Sequence, residues 1–268
     1  MFIEYDPEIA DRYGVSGLMI GGGLFFGQGG RNQKIKKLEA EIGGKILTFS
    51  LPAGRTCPGA RDCRAWFDGR TLRHGRDSIF DCYAARMEQR LPTTIWKKRV
   101  QNMTMIRALR TPRKIAAGLI EGIQRTGGDG TKGVRVHVSG DFFNATYLRA
   151  WIMVARVMPS IRFYGYTKSL PILKKVLEDT GLPTNLRLTL SAGGRYDELI
   201  PELKEKYGLG VAYVVMSEEE ANAKGLELDH NDIHAWYGRQ DFALLIHGVQ
   251  RPGLADRILQ ARGEGVEL

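Results

Sequence analysis

With 268 residues, 43% of them hydrophobic, and a formal net charge of +9, the chain has room for one large α/β unit or two small domains and enough apolar mass for a sizeable core. No apolar run approaches the roughly 18 residues that a membrane-spanning helix needs, and the start, MFIEYDPEIADRYG, is acidic where a secretory leader would be basic and then apolar. The three cysteines all fall within residues 57–82, which argues against a disulfide framework and for a reducing, cytoplasmic setting.

Residues 1–44 read as an N-terminal extension. Within it, GVSGLMIGGGLFFGQGG (14–30) mixes glycine with apolar side chains and suggests a loop packing through Leu24, Phe25 and Phe26. Its spacing matches neither phosphate-binding glycine motif. Residues 31–42 are more polar, helical or extended.

The alternating stretch KILTFSL (45–51), closed by Pro52 and Gly54, predicts the first strand. A cysteine loop (52–82) follows it directly, with Cys57 and Cys63 separated by five residues and Cys63 and Cys82 by eighteen. Three thiols this near in sequence fit a metal or cluster site that leaves one coordination position without a cysteine. A helix predicted over 81–90 carries Cys82 in its first turn, where the helix dipole is expected to favour the thiolate.

A basic helical insertion (86–126) comes next, interrupted near Thr111-Pro112 and ended by Gly127, Gly128 and Gly130. From Arg86 to Lys114 nine Lys or Arg face only Glu88, and from Arg55 to Arg76 six Arg face only Asp62 and Asp68. The rest of the chain is slightly acidic, so the positive charge is local. This field suits nucleic acid or a phosphate-bearing substrate as partner; the alternative is a solvated basic helix face.

Strands are then predicted over 134–139, 161–166, 186–191, 211–216 and 242–247. Helices are predicted over 147–157, 171–178, 197–206, 218–224 and 254–261. Six strand–helix units imply parallel pairing in one domain over 45–268: a partial (β/α)6 TIM-like barrel, or an open doubly wound sheet. Both folds gather functional groups at the carboxyl ends of the strands. Those ends carry Ser139-Gly140-Asp141, Tyr166-Thr167-Lys168, Ser191 with Gly193 and Gly194, Ser217, and His247-Gly248. Lys168, His247 and Tyr166 are the candidate catalytic groups, with Lys168 suited to anion binding or proton transfer.

The strings SLPAGRTCPGARDC, RVHVSGDFF, IRFYGYTKSLP, LRLTLSAGG and FALLIHGVQ, with Asp229, His230 and Asp232, resemble the phage gene product 88 family from about residue 28 to about 255. That resemblance implies a phage context and no particular reaction. The order of strand, cysteine loop, helix, strand and Ser139-Gly140-Asp141 is similar to radical S-adenosylmethionine enzymes. This likeness implies a [4Fe-4S] cluster on Cys57, Cys63 and Cys82. It further implies S-adenosylmethionine held through its amino group by Asp141 beside Ser139 and Gly140, with Ser191 and Gly193 touching its ribose and carboxylate. The cysteine spacing here is wider than in that family.

Two other metal readings stand beside it. Cys57, Cys63 and Cys82 with His74 would make a structural zinc site stapling a nucleic-acid-binding protein. Asp229, His230, Asp232 and His234, joined by His247, have the residue types of a metal-dependent hydrolase. The aromatics Phe142, Phe143, Trp151, Tyr164 and Tyr166 are expected to form either core or a stacking platform. His137 is expected in the core or in a hydrogen-bonded pocket wall.

Overall fold

The computed structural model describes residues 8, 11, 23–238, 240–246 and 248–263. Much of the glycine-rich stretch, up to residue 22, and His247 lie outside the described residues. The elements are β1 (Phe26–Gln28), α1 (Gln33–Ile42), β2 (Lys45–Ser50), β3 (Ala65–Phe67), β4 (Leu72–His74), α2 (Tyr83–Arg90), α3 (Lys97–Leu109), α4 (Pro112–Thr126), β5 (Thr131–Ser139) and α5 (Ala145–Val157). They continue with β6 (Arg162–Thr167), α6 (Leu170–Thr180), β7 (Leu186–Ser191), α7 (Ile200–Tyr207), β8 (Val211–Val215), α8 (Glu218–Ala223), α9 (Ile233–Tyr237), β9 (Phe242–Leu245) and α10 (Leu254–Gly263).

One seven-stranded sheet runs in the order β1-β2-β5-β6-β7-β8-β9. The short β1 joins β2 antiparallel and all the other pairs are parallel. Strand order never reverses, so the doubly wound alternative, which depends on a switch point, does not apply. Among the described residues the sheet is open, with β1 and β9 at its edges. The fold is therefore α/β with a mostly parallel sheet, and no barrel closes.

Alternation decides which face each strand residue meets. Leu47, Phe49, Val134, Val136, Phe163, Leu186, Leu188 and Leu190 are buried against the apolar faces of α4 to α7, including Ile115, Trp151, Leu173 and Leu203. The other face packs Ile46, Tyr164, Ala212 and Phe242 under Ile35 and Leu38 of α1 and Ala235 and Trp236 of α9. Over Val214 and Ile246, Ile79 and Phe80 of the cysteine loop meet Ile258 and Ala261 of α10, with Cys63 at the edge of this cluster.

The basic insertion is docked by two buried polar residues on α3. Asn102 Nδ2 donates to the carbonyls of Phe25 (3.0 Å) and Ser50 (3.1 Å), and its Oδ1 accepts from the Phe25 N–H (2.7 Å). Arg99 Nη1 donates to Glu88 Oε1 (2.8 Å) and to the Ala84 carbonyl.

Candidate functional site at the strand ends

Three short structures shape the cysteine loop. The hairpin β3–β4, turning at Asp68-Gly69, pairs Ala65 with His74. Cys82 caps α2. The segment between Cys57 and Cys63 lies across the ends of β6 and β7: Ala60 bridges Gly194, Asp62 N–H donates to the Gly193 carbonyl (3.2 Å), and Arg195 N–H donates to the Gly59 carbonyl (2.9 Å). This crossing is so close that a Cβ on Gly59 would stand 1.8 Å from the Lys168 carbonyl oxygen. Only glycine fits there.

The three cysteines are free and half-buried, and near enough that Cys57 feels both of the others and Cys82 feels Cys63. Burial pushes the Cys57 thiol well up, and Asp141, Cys82 and Cys63 add to the rise. Cys63 is raised by burial as well, with the Lys168 ammonium pulling it down. Cys82 is pushed up to about 12, first by burial and then by Cys63. The N–H groups of Ala84 and Ala85 oppose this but do not prevail, so the thiolate expected from the helix dipole is corrected: desolvation exceeds the dipole here. Three acids compressed into one half-dry corner ionise together only if a cation joins them.

The strand-end residues form a brace beneath the thiols. Asp141 Oδ1 accepts from Phe142 N–H (2.7 Å) and the Thr167 hydroxyl (2.7 Å), and Oδ2 accepts from Lys168 N–H (2.8 Å). The Lys168 ammonium donates to the Ser191 carbonyl (3.1 Å), the Ser191 hydroxyl (2.9 Å) and the Ala192 carbonyl. Gly193 N–H donates to Asp197 Oδ2 (2.7 Å), and a Cβ there would meet Asp62 Oδ2 at 2.7 Å. Ser139 donates to Glu88 Oε1 at 3.3 Å. Gly140, at φ +86°, presses on Leu51 and Thr56. The structure thus gathers Cys57, Cys63, Cys82, Asp141, Lys168, Ser191 and Gly193 at one rim, with the polar members bonded to one another.

Other candidates lie elsewhere. The Tyr166 hydroxyl donates to Asp232 Oδ1 (3.3 Å) beneath the Arg135 guanidinium, so it belongs to a second cluster. There Asp232 also accepts from Arg135 and from Tyr164 (3.4 Å), and the Asp229 backbone carbonyl accepts from Lys34 (2.8 Å). His234 Nε2 pairs with Glu227 at 2.9 Å, and His230 lines a surface cleft with Glu218 and Glu227. The set Asp229, His230, Asp232 and His234 therefore does not converge. His74 Nε2 stands 3.0 Å from Asp81 Oδ1, where Arg86 and Arg251 also meet the carboxylate. Among the described residues no three His, Cys, Asp or Glu side chains are grouped to hold a single metal ion. Phe142, Trp151 and Tyr164 are buried, so the stacking platform resolves into core. His137 lies in the core against Phe142 and Tyr147, its Nε2 2.9 Å from the Tyr147 hydroxyl and its pKa held at about 3 by burial.

Glu88 escaped the sequence reading. Its Oε1 accepts from Ala53 N–H (2.9 Å), Arg99 and Ser139, tying the cysteine loop, α3 and the end of β5 together. Its isolation among nine cations was the available signal.

The family model described as gene product 88 matches residues 24–263. The gene 88 protein of Mycobacterium phage L5 is 36% identical over 80 residues, covering 30% of this chain and 32% of that protein. No solved structure matches. The chain belongs to the gene product 88 family.

Proposed function

We propose that this member of the gene product 88 family is an iron–sulfur enzyme of the radical S-adenosylmethionine type, working in a reducing cytoplasm on an anionic substrate. The observation that carries the reading is that Cys57, Cys63 and Cys82 lie in one loop over the carboxyl ends of a parallel sheet, each raised by burial, with Cys57 and Cys82 raised further by neighbouring thiols. A single zinc needs its donors at one point, about 2.3 Å from the ion. A cubane takes each sulfur on a different iron and so accepts a wider set. The pairing of His74 with Asp81 takes up the fourth donor of the zinc reading and favours the cluster over zinc. On this reading the consecutive parallel strands form a partial barrel with the site at its mouth.

Cys57, Cys63 and Cys82 would hold the cluster. When bound, it supplies one-electron chemistry and an iron position without a protein ligand. Lys168, locked against Ser191 and Ala192, places a fixed positive charge beside Cys63 and offsets part of the thiolate charge. Asp141 keeps the ends of β5 and β6 together through Thr167 and Lys168. Because its two oxygens already accept three hydrogen bonds, it supports S-adenosylmethionine less directly than the thiols support the cluster.

The test is anaerobic reconstitution with iron and sulfide. We expect brown protein with on the order of four irons per chain and a broad visible band, both lost in Cys57→Ala and Cys82→Ala. Colourless protein with one zinc per chain overturns the proposal.

A further inference from the structure

Between Cys82 and Ile120 the only acidic residue is Glu88, and it is buried against Arg99. Arg90, Lys97, Lys98, Arg107, Arg110, Arg113 and Lys114 are exposed around it. On α3 the exposed positions Lys97, Lys98, Gln101, Thr104, Arg107 and Ala108 recur every three to four residues and form one stripe. From Lys97 to Arg107 this stripe runs about 15 Å, with cations, two neutral polar side chains and no large apolar one.

An ordinary solvated helix face mixes signs, because opposite charges three or four apart support the helix and like charges weaken it. Here none of Lys97, Lys98 and Arg107 has an acid three or four residues away on the helix. Arg113 and Lys114 also stand in the first turn of α4, at the positive end of the helix dipole, with no acid there. The face thus costs the fold free energy, and a polyanion laid along it would reverse that cost.

We infer that the exposed face of α3 with the first turn of α4 is a docking surface for the phosphate backbone of nucleic acid, independent of sequence. Duplex DNA presents one negative charge per about 1.7 Å of axis, which suits a 15 Å row of cations. The neutral polar residues in the stripe can donate to phosphate oxygens, while its one apolar side chain, Ala108, is too small to anchor the helix in a bilayer. The inference stands apart from the cluster, since the face is complete in the protein without metal.

The test is fluorescence anisotropy of the full chain without metal, using a labelled 24-base-pair duplex and the matching single strand, from 50 to 300 mM salt. The variant Lys97→Gln, Lys98→Gln, Arg107→Gln, Lys114→Gln is compared with the control Lys174→Gln, Lys204→Gln, Lys206→Gln. The control removes cations paired with Glu202, Asp241 and Glu178 elsewhere. The four-site variant is expected to lose roughly 100-fold affinity at the lower salt and to flatten the log–log salt slope by about 3 to 4 for duplex. The control should stay within about threefold of wild type, and the four-site variant should melt no lower than wild type. The inference is overturned if wild type fails to bind either strand form at 50 mM salt, or if the two variants weaken binding equally. Tighter capture by anionic lipid vesicles than by DNA also overturns it.

Discussion

Around Asp232 each charge has its opposite: Arg135 answers the carboxylate, and the Tyr164 and Tyr166 hydroxyls complete it. Around Cys57, Cys63 and Cys82 the acids have mostly one another, with Lys168 beside one of them. Residue types alone would nominate both for metal chemistry. The difference is that Asp232 is neutralised from within the chain, and an ion there would have to displace Arg135. The thiols lack that internal partner. What marks a candidate site is therefore the charge its surroundings leave unanswered.

The comparison breaks most sharply at Asp232, which stands at φ +61°. Asp232→Asn keeps a residue that tolerates this conformation and removes only the charge. Leaving the half-buried Arg135 without its carboxylate should cost about 3 kcal/mol in urea unfolding, and a loss under 1 kcal/mol would show that the pair is not the brace described. Next comes His137, held at about 3 in the fold against 6.5 for the free side chain. As pH falls below about 6.5 the unfolded chain takes up a proton that the folded one refuses. Stability should then fall by up to about 1.4 kcal/mol per pH unit toward pH 3, with no contribution above 6.5. His137→Asn, which suits φ +68°, should flatten this slope in unfolding midpoints taken between pH 7 and 4. The smallest effect belongs to His234→Gln. Its partner Glu227 is 82% exposed, so stability should change by less than about 1 kcal/mol. Iron content should not change; a loss of iron would return this histidine to the candidate site.

The regular half of the fold was legible because its strands alternate and are punctuated by glycine or proline. The prediction of 45–51 stands against β2 at Lys45–Ser50, and 186–191 coincides with β7. The hairpin β3–β4 was missed because its strands are three residues long, although Asp68-Gly69, with Gly69 at φ +102°, was a turn signal. The five-residue α9 was missed for a similar reason. Within the site, the positions of Cys57, Cys63, Cys82, Asp141 and Lys168 were readable from strand ends, but their bonding was not. Asp141 finds Thr167 and Lys168 on the next strand, and Gly59 meets Lys168 through space. Sequence spacing encodes no such distance. The assignment of Tyr166 to the rim failed because its hydroxyl donates to Asp232, far along the chain.

The seating of the Cys57–Cys63 segment on Gly193, Gly194 and Arg195 also sets an order of events during synthesis. The sheet grows by adding each strand beside the one before it, so its pairing can follow translation. The cysteine loop is made after only β1 and β2, yet its seat does not exist until β7 and the turn beyond it have left the ribosome. At translation rates of 5–20 residues per second that delay is on the order of ten seconds. For that interval the thiols lack their seat, and docking of the loop onto β7 is the step that brings Cys63 beside Lys168 and Cys57 beside Asp141.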